Sequence, residues 1–351
     1  MKISALLTNY NSSGTILRSI QSLMEQSYPL ETILVVDNGS TDDGTQRIHR
    51  AFPNAEIIEL TENLGLTRAR NIGLGKLKSD LVLLVDDDVY LSKDSLGLMV
   101  AAHVETGAVI TCPRVVLLPE THVLQCDGAE IHFVGLLSLR HGYQPLIQHP
   151  PVRTVTNGFI GACLLIDRKK LEEMRNFDTD YFFYFEDMEL SYRLLALGYK
   201  ICCEENAIVY HDRGMGTEAL SFRGSGSYPS RRAYLNLRNR WLTVLLHYQV
   251  RTLLLLFPAM IMYEFAALVE TTRRGWLKEY LHALISLMYE SISILKRRRH
   301  WQSQRMVADR VILTGGDLPL SKGFVDEKRS WLVRLLNRSL ALYWYRIKKW
   351  L

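Results

Sequence analysis

Three clusters of acids hold most of the residues in this chain that could do chemistry. They are Asp37-Asn38-Gly39-Ser40-Thr41-Asp42, Asp86-Asp87-Asp88 and Glu186-Asp187-Met188-Glu189. Consecutive carboxylates such as Asp86, Asp87 and Asp88 repel one another unless a cation neutralises them. On an extended backbone, alternation sets Asp86 and Asp88 on one side and Asp87 on the other. One or two carboxylates so placed can hold a hard divalent cation whose other positions go to phosphate oxygens. A plain solvated turn is the competing reading. Asp187 opens a helix-like stretch, where the peptide dipoles favour an ionised carboxylate. The approach to it, Tyr181-Phe182-Phe183-Tyr184-Phe185, offers aromatic walls that exclude water and stack sugars. A carboxylate in that position could deprotonate a hydroxyl. Read blandly, Glu186 and Asp187 are ordinary first-turn acids, with Glu189 pairing to Arg193 one turn on. His211, after an apolar run, is either structural or a ligand. The segment Asn63–Gly73, with Gly65 and Arg70, is a weak phosphate or nucleotide signal. There is no GxGxxG, GxxxxGK[ST] or HExxH, so dinucleotide, NTPase and zincin chemistry lack support.

The elements that must position these residues alternate between strand-like and helix-like runs, the pattern of a parallel α/β layer. Strands are expected at Ile3–Leu7, Thr32–Val36, Ile57–Leu60 and Leu81–Val85, and helices at 14–26, 43–51 and 67–76. Near-continuous apolar runs such as Leu81-Val82-Leu83-Leu84-Val85 fit strands covered on both faces. Two of the acidic clusters follow such strands directly, where open α/β sheets place their sites. Further strands are expected at Gly161–Ile166 and Ala207–Tyr210, and a helix at 187–197 closed by Gly198. Arg213–Arg231, rich in Gly, Ser and Pro, reads as a loop.

The 351 residues are 48% hydrophobic and 23% charged, ordinary for a folded protein but long for one core, so two units are expected. Composition divides them at 1–234 and 235–351. The formal net charge is only +5, yet basic residues crowd the last third, as in Lys296-Arg297-Arg298-Arg299. Five cysteines without metal or disulfide spacing suit a reducing compartment. The apolar run after Met1 is too short for a signal peptide and reads as the first strand. In the tail, Trp241–Val269 is strongly apolar and Leu277–Leu295 is helical with one broad apolar face. A bilayer span needs about 20 apolar residues, and the uncharged run Thr252–Tyr263 is interrupted by Pro258. A helix lying in the membrane interface, rimmed by Arg251, Arg273 and Arg274, accounts for this better than a span. A buried helical hairpin is the bland alternative.

Taken in order, the motifs resemble a family 2 glycosyltransferase of the GT-A fold. The resemblance rests on Thr8-Asn9-Tyr10-Asn11, Asp37-Asn38-Gly39-Ser40-Thr41-Asp42, Asn63-x-Gly65-x-x-x-Ala69-Arg70-Asn71-x-Gly73, Asp86-Asp87-Asp88, Gly161–Ile166, Phe185–Leu190 and Val209-Tyr210-His211. Within the family it is similar to the rhamnosyl- and galactofuranosyl-transferase branch. It implies an α/β, Rossmann-like, mainly parallel sheet flanked by helices, followed by a helical, membrane-associating region. The implied activity is inverting transfer from a nucleoside-diphosphate sugar, UDP- or dTDP-type, in cell-envelope polysaccharide synthesis.

The implied site has Thr8, Asn9, Asp37, Asn38, Arg70, Asn71, Asp86 and Asp87 on the donor. Mg2+ or Mn2+ would sit on Asp88, Asp86 and His211, with Asp88 preferred. Asp187 would be the general base, with Glu186 beside it. Implied partners are the donor, a polyprenyl-linked or glycan acceptor, and a membrane surface met through residues 241–299. No nucleic acid is implied, and homo-oligomerisation is left open. The implied place is the cytoplasmic face of the cell membrane, as a peripheral or monotopic protein. Arg213–Ser227 would order over bound donor. Two alternatives stay open: a catalytically silent scaffold in a glycan-assembly complex and a sugar nucleotidyltransferase.

Overall fold

A computed structural model describes residues 1–212, 229–320 and 330–351. Most of the expected loop Arg213–Arg231, including all of Arg213–Ser227, lies outside the described residues. Its last two residues, Ser230 and Arg231, are helical instead. The chain divides into two compact units. One holds Met1–Ala129, Leu139–Leu190 and Tyr199–Glu218; the other holds Glu130–Ser138, Ser191–Gly198 and Ala219–Leu351.

The first unit begins with β1 (Ile3–Asn9), α1 (Ile16–Met24), β2 (Thr32–Asp37), α2 (Gly44–Ala51), β3 (Glu56–Glu59), α3 (Leu66–Lys76) and β4 (Leu81–Asp86). It continues through β5 (Val89–Leu91), α4 (Ser95–Thr106), β6 (Ile110–Leu117) and β7 (Leu124–Cys126); β8 (Ala129–His132) and β9 (Leu136–Leu139) follow, and all but their outer ends, Ala129 and Leu139, belong to the second unit. The last part has β10 (Arg153–Thr156), β11 (Cys163–Asp167), α5 (Arg168–Glu173), α6 (Glu186–Ala196) and β12 (Ile201–His211). The order across the large sheet is β10-β12-β6-β11-β4-β1-β2-β3, with β5 on β12 and β7 on β6. The half built from β1 to β4 is parallel, as its apolar runs predict, and β1 is buried throughout. The other half is mixed: β11 runs antiparallel to β4 and β6, while β12 runs parallel to β6. Buried Leu7, Val35, Leu83, Val85, Met99 and Leu165 belong to the core cluster around this sheet.

Strand register builds the site. Asn9 lies opposite Asp37, and Thr8 opposite Asp86, so the ends of three parallel strands, two of them acidic, form one row. β11 enters beside β4 with Cys163 opposite Val85, and the Asp86 N–H donates to Ala162 O at 2.9 Å. β12 ends with His211 opposite Val89, and the Asp212 N–H donates to Asp88 O at 2.8 Å.

The second unit contains α7 (Ser230–His247), α8 (Val250–Arg273), α9 (Leu277–Tyr289), α10 (Ser291–Ser303), α11 (Asp309–Ile312), β13 (Leu313–Thr314) and α12 (Ser330–Ile347). α9 and α10 pack on α7, and α8 packs on α9 and α12. β13, β8 and β9 form a three-stranded sheet. The single helix expected over Leu277–Leu295 is two, parted at Glu290, whose carboxylate accepts from Arg238 at 2.6 Å and from Ser286 Oγ at 2.8 Å. α8 is the described helix long and apolar enough to cross a membrane by length and composition. Its Glu264 pairs with buried Arg240. Its exposed positions Val250, Leu254, Phe257, Ile261, Phe265, Leu268 and Val269 follow three- and four-residue spacing, so the outward stripe is apolar.

Candidate functional site

At the carboxyl ends of the parallel strands, Asp37 is buried and satisfied locally. Its Oδ1 accepts from Asn9 Nδ2 and Ser40 Oγ, both at 2.6 Å, and its Oδ2 from the Ser40 N–H at 3.0 Å. Asn38 ties the turn to the next segment: its Nδ2 donates to Asn63 Oδ1 at 3.1 Å, and its Oδ1 accepts from the Leu64 N–H at 2.9 Å. Thr8 and Asn9 are buried beside them. The structure therefore gathers Thr8, Asn9, Asp37 and Asn38 at one end of the sheet.

The three aspartates after β4 part ways. Extended alternation does not hold, because the backbone turns at Asp87–Asp88. Asp86 Oδ1 pairs with Arg70 Nη2 at 2.8 Å. Asp87 Oδ2 accepts from the Tyr10 N–H at 3.2 Å. Asp88 Oδ1 faces His211 Nε2 at 3.2 Å, and His211 Nδ1 bonds to Gln125 Oε1 at 2.8 Å. Among the described residues no group of three or more His, Cys, Asp or Glu gathers as a metal cage. Asp88 and His211 are brought together, whereas Asp86 turns to Arg70.

Arg70, on α3, is a fully buried guanidinium at the centre of the site. Besides Asp86 it donates to Gly161 O at 3.0 Å, lies 3.8 Å from Asp187 Oδ1, and sits 5.3 Å from the Phe177 ring centroid. Asp187 Oδ2 accepts from the Gly161 N–H at 2.8 Å, while its buried Oδ1 has no hydrogen-bond partner. Gly161 cannot carry a side chain: a Cβ there would lie 2.5 Å from Asp187 Oδ1 and 2.8 Å from Arg70 Nη1. Asn71 uses its amide on the Phe177 backbone, donating at 2.8 Å and accepting at 3.1 Å. It thereby holds the chain that leads to the aromatic approach.

That approach is pinned to the start of α3. The Leu66 N–H donates to Phe182 O at 2.8 Å, and Thr67 Oγ1 to Tyr181 O at 2.7 Å. Gly65, at φ +90, is required because a Cβ would meet Phe182 at 2.6 Å. Tyr184 and Phe185 adopt left-handed φ of 67 and 69 just before Glu186. Bulky residues hold that conformation only where surrounding contacts over-determine it, and such strain clusters at functional sites.

The sequence matches the family model for glycosyl transferase family 2 over residues 4–174, which takes in Asp86–Asp88, Gly161 and every strand of the large sheet but β12. Over that stretch, just under half of its length, the chain is a family 2 glycosyltransferase. Enzymes of this family invert the transferred anomeric carbon. The glycosyltransferase is 25% identical over 213 residues to the poly-beta-1,6-N-acetyl-D-glucosamine synthase of Staphylococcus aureus (strain MSSA476), a match covering 59% of this chain and 49% of that protein. The enzyme of that name from Staphylococcus epidermidis is 24% identical over the same coverage. The chain thus spans about half the length of these curated relatives. By fold it is similar to GalNAc-T7, solved with UDP, GalNAc and Mn2+ (TM-score 0.58, 15% identity, 84% of this chain and 57% of that one). It is also similar to the mannosyltransferase PcManGT of Pyrobaculum calidifontis, solved with GDP-Man and Mn2+ (TM-score 0.51, 17% identity, 99% of this chain and 87% of that one). These likenesses bear out the GT-A-like α/β sheet followed by a helical region.

Burial raises the carboxyls around Arg70 in the glycosyltransferase. Asp86 is pushed up to about 6, Arg70 opposing. Glu186, desolvated and beside Asp187, is pushed up to about 8. Asp187 is also raised by burial, while Arg70 and the Gly161 N–H pull it back. Glu186 therefore carries a proton in the folded enzyme between its ordinary 4.5 and about 8, where the unfolded chain has released it. Stability falls as pH rises through that window, because the folded state binds the extra proton. Glu186→Gln should abolish this dependence, so its Tm gain over the parent should be larger at the upper end of the window than at the lower. An equal difference at both ends would mean that Glu186 is ionised in the fold.

Gln125 and Gly161 carry weight in the site that sequence reasoning did not assign to them. Gly161 stood in a motif without a role. Gln125 lies in a three-residue strand and reaches a histidine 86 positions away, for which no local spacing gives a signal.

Proposed function

We propose that this glycosyltransferase moves a sugar from a UDP- or dTDP-type donor to a polyprenyl-linked or surface-glycan acceptor, on the cytoplasmic face of a membrane. The observation that carries the reading is the pairing of two features at the same sheet ends: the bare, buried Oδ1 of Asp187, and the Asp88–His211 pair. Asp187 takes the acceptor proton. The Gly161 N–H and Arg70 hold its carboxylate in place, and the aromatic approach keeps water from it. Thr8, Asn9, Asp37 and Asn38 form the nucleoside end. Arg70 and Asn71 act on the donor indirectly, by fixing Asp86 and the segment around Phe177. With one base and, among the described residues, no second carboxylate cast as nucleophile, displacement is single and in line.

Asp88 and His211 fit a divalent cation. A carboxylate oxygen and an imidazole nitrogen face each other at 3.2 Å with both side chains partly open to solvent, at 16% and 14%. Mg2+ or Mn2+ held there would act as a Lewis acid on the leaving diphosphate. The rhamnosyl- or galactofuranosyl-like preference rests on motif order alone. The relatives named above concern other sugars, so the nucleotide is the first property to measure. Thermal shift of the purified chain with UDP, dTDP or GDP, with and without Mn2+, should show one nucleotide raising Tm by about 5–10 °C at a hundred times Kd. The metal-dependent part should vanish in Asp88→Asn. A flat response to every nucleotide and metal would count against a donor site here.

The apolar stripe on α8 supports membrane docking by residues 235–351. Exposed Leu281, Ile285 and Met288 add to it from α9, Ile292 from α10, and Trp331, Leu335, Leu342 and Tyr345 from α12. Lys296, Arg299, Lys348 and Lys349 are also exposed and suit an anionic leaflet. The full chain should cosediment with vesicles containing anionic lipid, and Leu254→Asp with Phe265→Asp should cut the bound fraction at least tenfold. Binding unchanged in that double variant, with fold intact, would remove the α8 face from the reading.

A further inference from the structure

We propose that Gln125 is a positioning residue that sets the affinity of the enzyme for a divalent cation by fixing the ring of His211. The inference rests on the assignment of Asp88 and His211 as the cation-holding pair and adds a residue that no motif contains. Two independent observations support it. The first is the bond itself. Gln125 Oε1 can only accept, so at 2.8 Å it holds the proton on His211 Nδ1. In the neutral ring Nε2 is then the lone-pair nitrogen, 3.2 Å from Asp88 Oδ1. In that state the two face each other as acceptors that a cation can bridge, and the amide oxygen behind the ring favours the tautomer that leaves Nε2 available.

The second observation is backbone geometry. β7 pairs with β6 through Val115↔Cys126 and Val116↔Leu124. Two steps on β7 therefore answer one step on β6, and Gln125 is the extra residue of a β-bulge. Bulges re-aim one side chain out of the ladder and recur beside active sites. β12 pairs along the same part of β6, with Leu117 opposite His211. Without the bulge, strand alternation would set the side chain at 125 without regard to His211. Gln125 is buried, so its amide has little water to bond in place of the imidazole. Partners of metal-bound histidines of this kind typically change metal affinity by 10- to 100-fold when removed.

The test titrates the full chain with Mn2+ alone at about pH 8, where imidazole is neutral, reading free Mn2+ by electron paramagnetic resonance and bound Mn2+ by water-proton relaxation. Gln125→Leu should weaken Mn2+ binding about 10- to 100-fold with Tm in metal-free buffer close to the parent's. Gln125→Glu keeps an acceptor behind Nδ1 and should bind Mn2+ within a few-fold of the parent. If Gln125→Leu does not fold, Gln125→Asn, one methylene too short to reach the ring, carries the same expected loss. Equal weakening in the Leu and Glu variants would show that Gln125 only packs, and the proposal would fall. Parent-like binding in Gln125→Leu alongside lost binding in Asp88→Asn would overturn the role of Gln125 and leave the cation pair standing. Parent-like binding in Asp88→Asn would overturn both.

Discussion

Asp187→Asn is expected to lower turnover by about 10³- to 10⁴-fold while donor affinity stays within a few-fold of the parent. The substitution is isosteric, and the amide oxygen can still accept from the Gly161 N–H, now at 2.8 Å from Asp187 Oδ2. What disappears is the buried Oδ1, which has no hydrogen-bond partner and lies 3.8 Å from Arg70 Nη1. An amide nitrogen there cannot take a proton from a hydroxyl. Burial lifts the parent carboxyl above its usual range, toward the pH at which proton transfer is most effective. Donor affinity should hold because the nucleoside end and the Asp88–His211 pair do not touch Asp187. The measurement is a pair: transfer rate at saturating donor, and donor Kd by calorimetry. Full turnover would remove Asp187 as the base. Loss of both quantities together would assign it to binding. If cells carrying Asp187→Asn made normal glycan, the silent-scaffold reading would return.

Arg70→Met should destabilise the fold by about 3–5 kcal/mol, the usual consequence of removing one partner from a buried charged set. In a protein of this size that is a fall in Tm of roughly 10 °C. The side chain is fully buried, and its charge answers Asp86, Asp187 and Glu186 together. Methionine fills much of the volume, so packing contributes little of the loss. The pH dependence separates charge from shape. Without the guanidinium the carboxyls need protons to stay buried, so the deficit should narrow as pH falls below about 6, where Asp86 is neutral even in the parent. A deficit constant with pH would mean that Arg70 acts through contacts other than charge. Arg70→Lys should lie between the two, because an ammonium keeps the charge but lacks the extended planar head that puts Nη2 on Asp86 and Gly161 O and Nη1 3.8 Å from Asp187.

The parallel half of the sheet was legible because its strands are covered on both faces and carry little but aliphatic residues. Acidic turns at their ends then marked the candidate site, at the carboxyl ends of β2 and β4. Roles inside the site were less legible. The sequence marks Arg70 as a donor-segment arginine, yet its side chain points inward to three carboxyls, and no periodicity distinguishes inward from outward on a short helix in an α/β layer. Alternation misplaced Asp86 relative to Asp88 because it assumes an extended chain, and the backbone turns at Asp87. The break at Glu290 depends on Arg238, 52 positions earlier, and so has no local signal. Long-range side-chain pairs are what a linear reading lacks.

The outward face of α8 also bears on how the protein can be studied. Its stripe runs from Val250 to Val269, about 30 Å of helix at 1.5 Å per residue, with no charge among its exposed apolar positions. In plain buffer such a band is open to cover by another copy of the chain. If the acceptor is lipid-linked, as proposed, the governing variable in mixed micelles or bilayers is the acceptor's mole fraction in the surface, so adding lipid at constant total acceptor should slow turnover. On that reading kinetic constants for this enzyme belong in two dimensions.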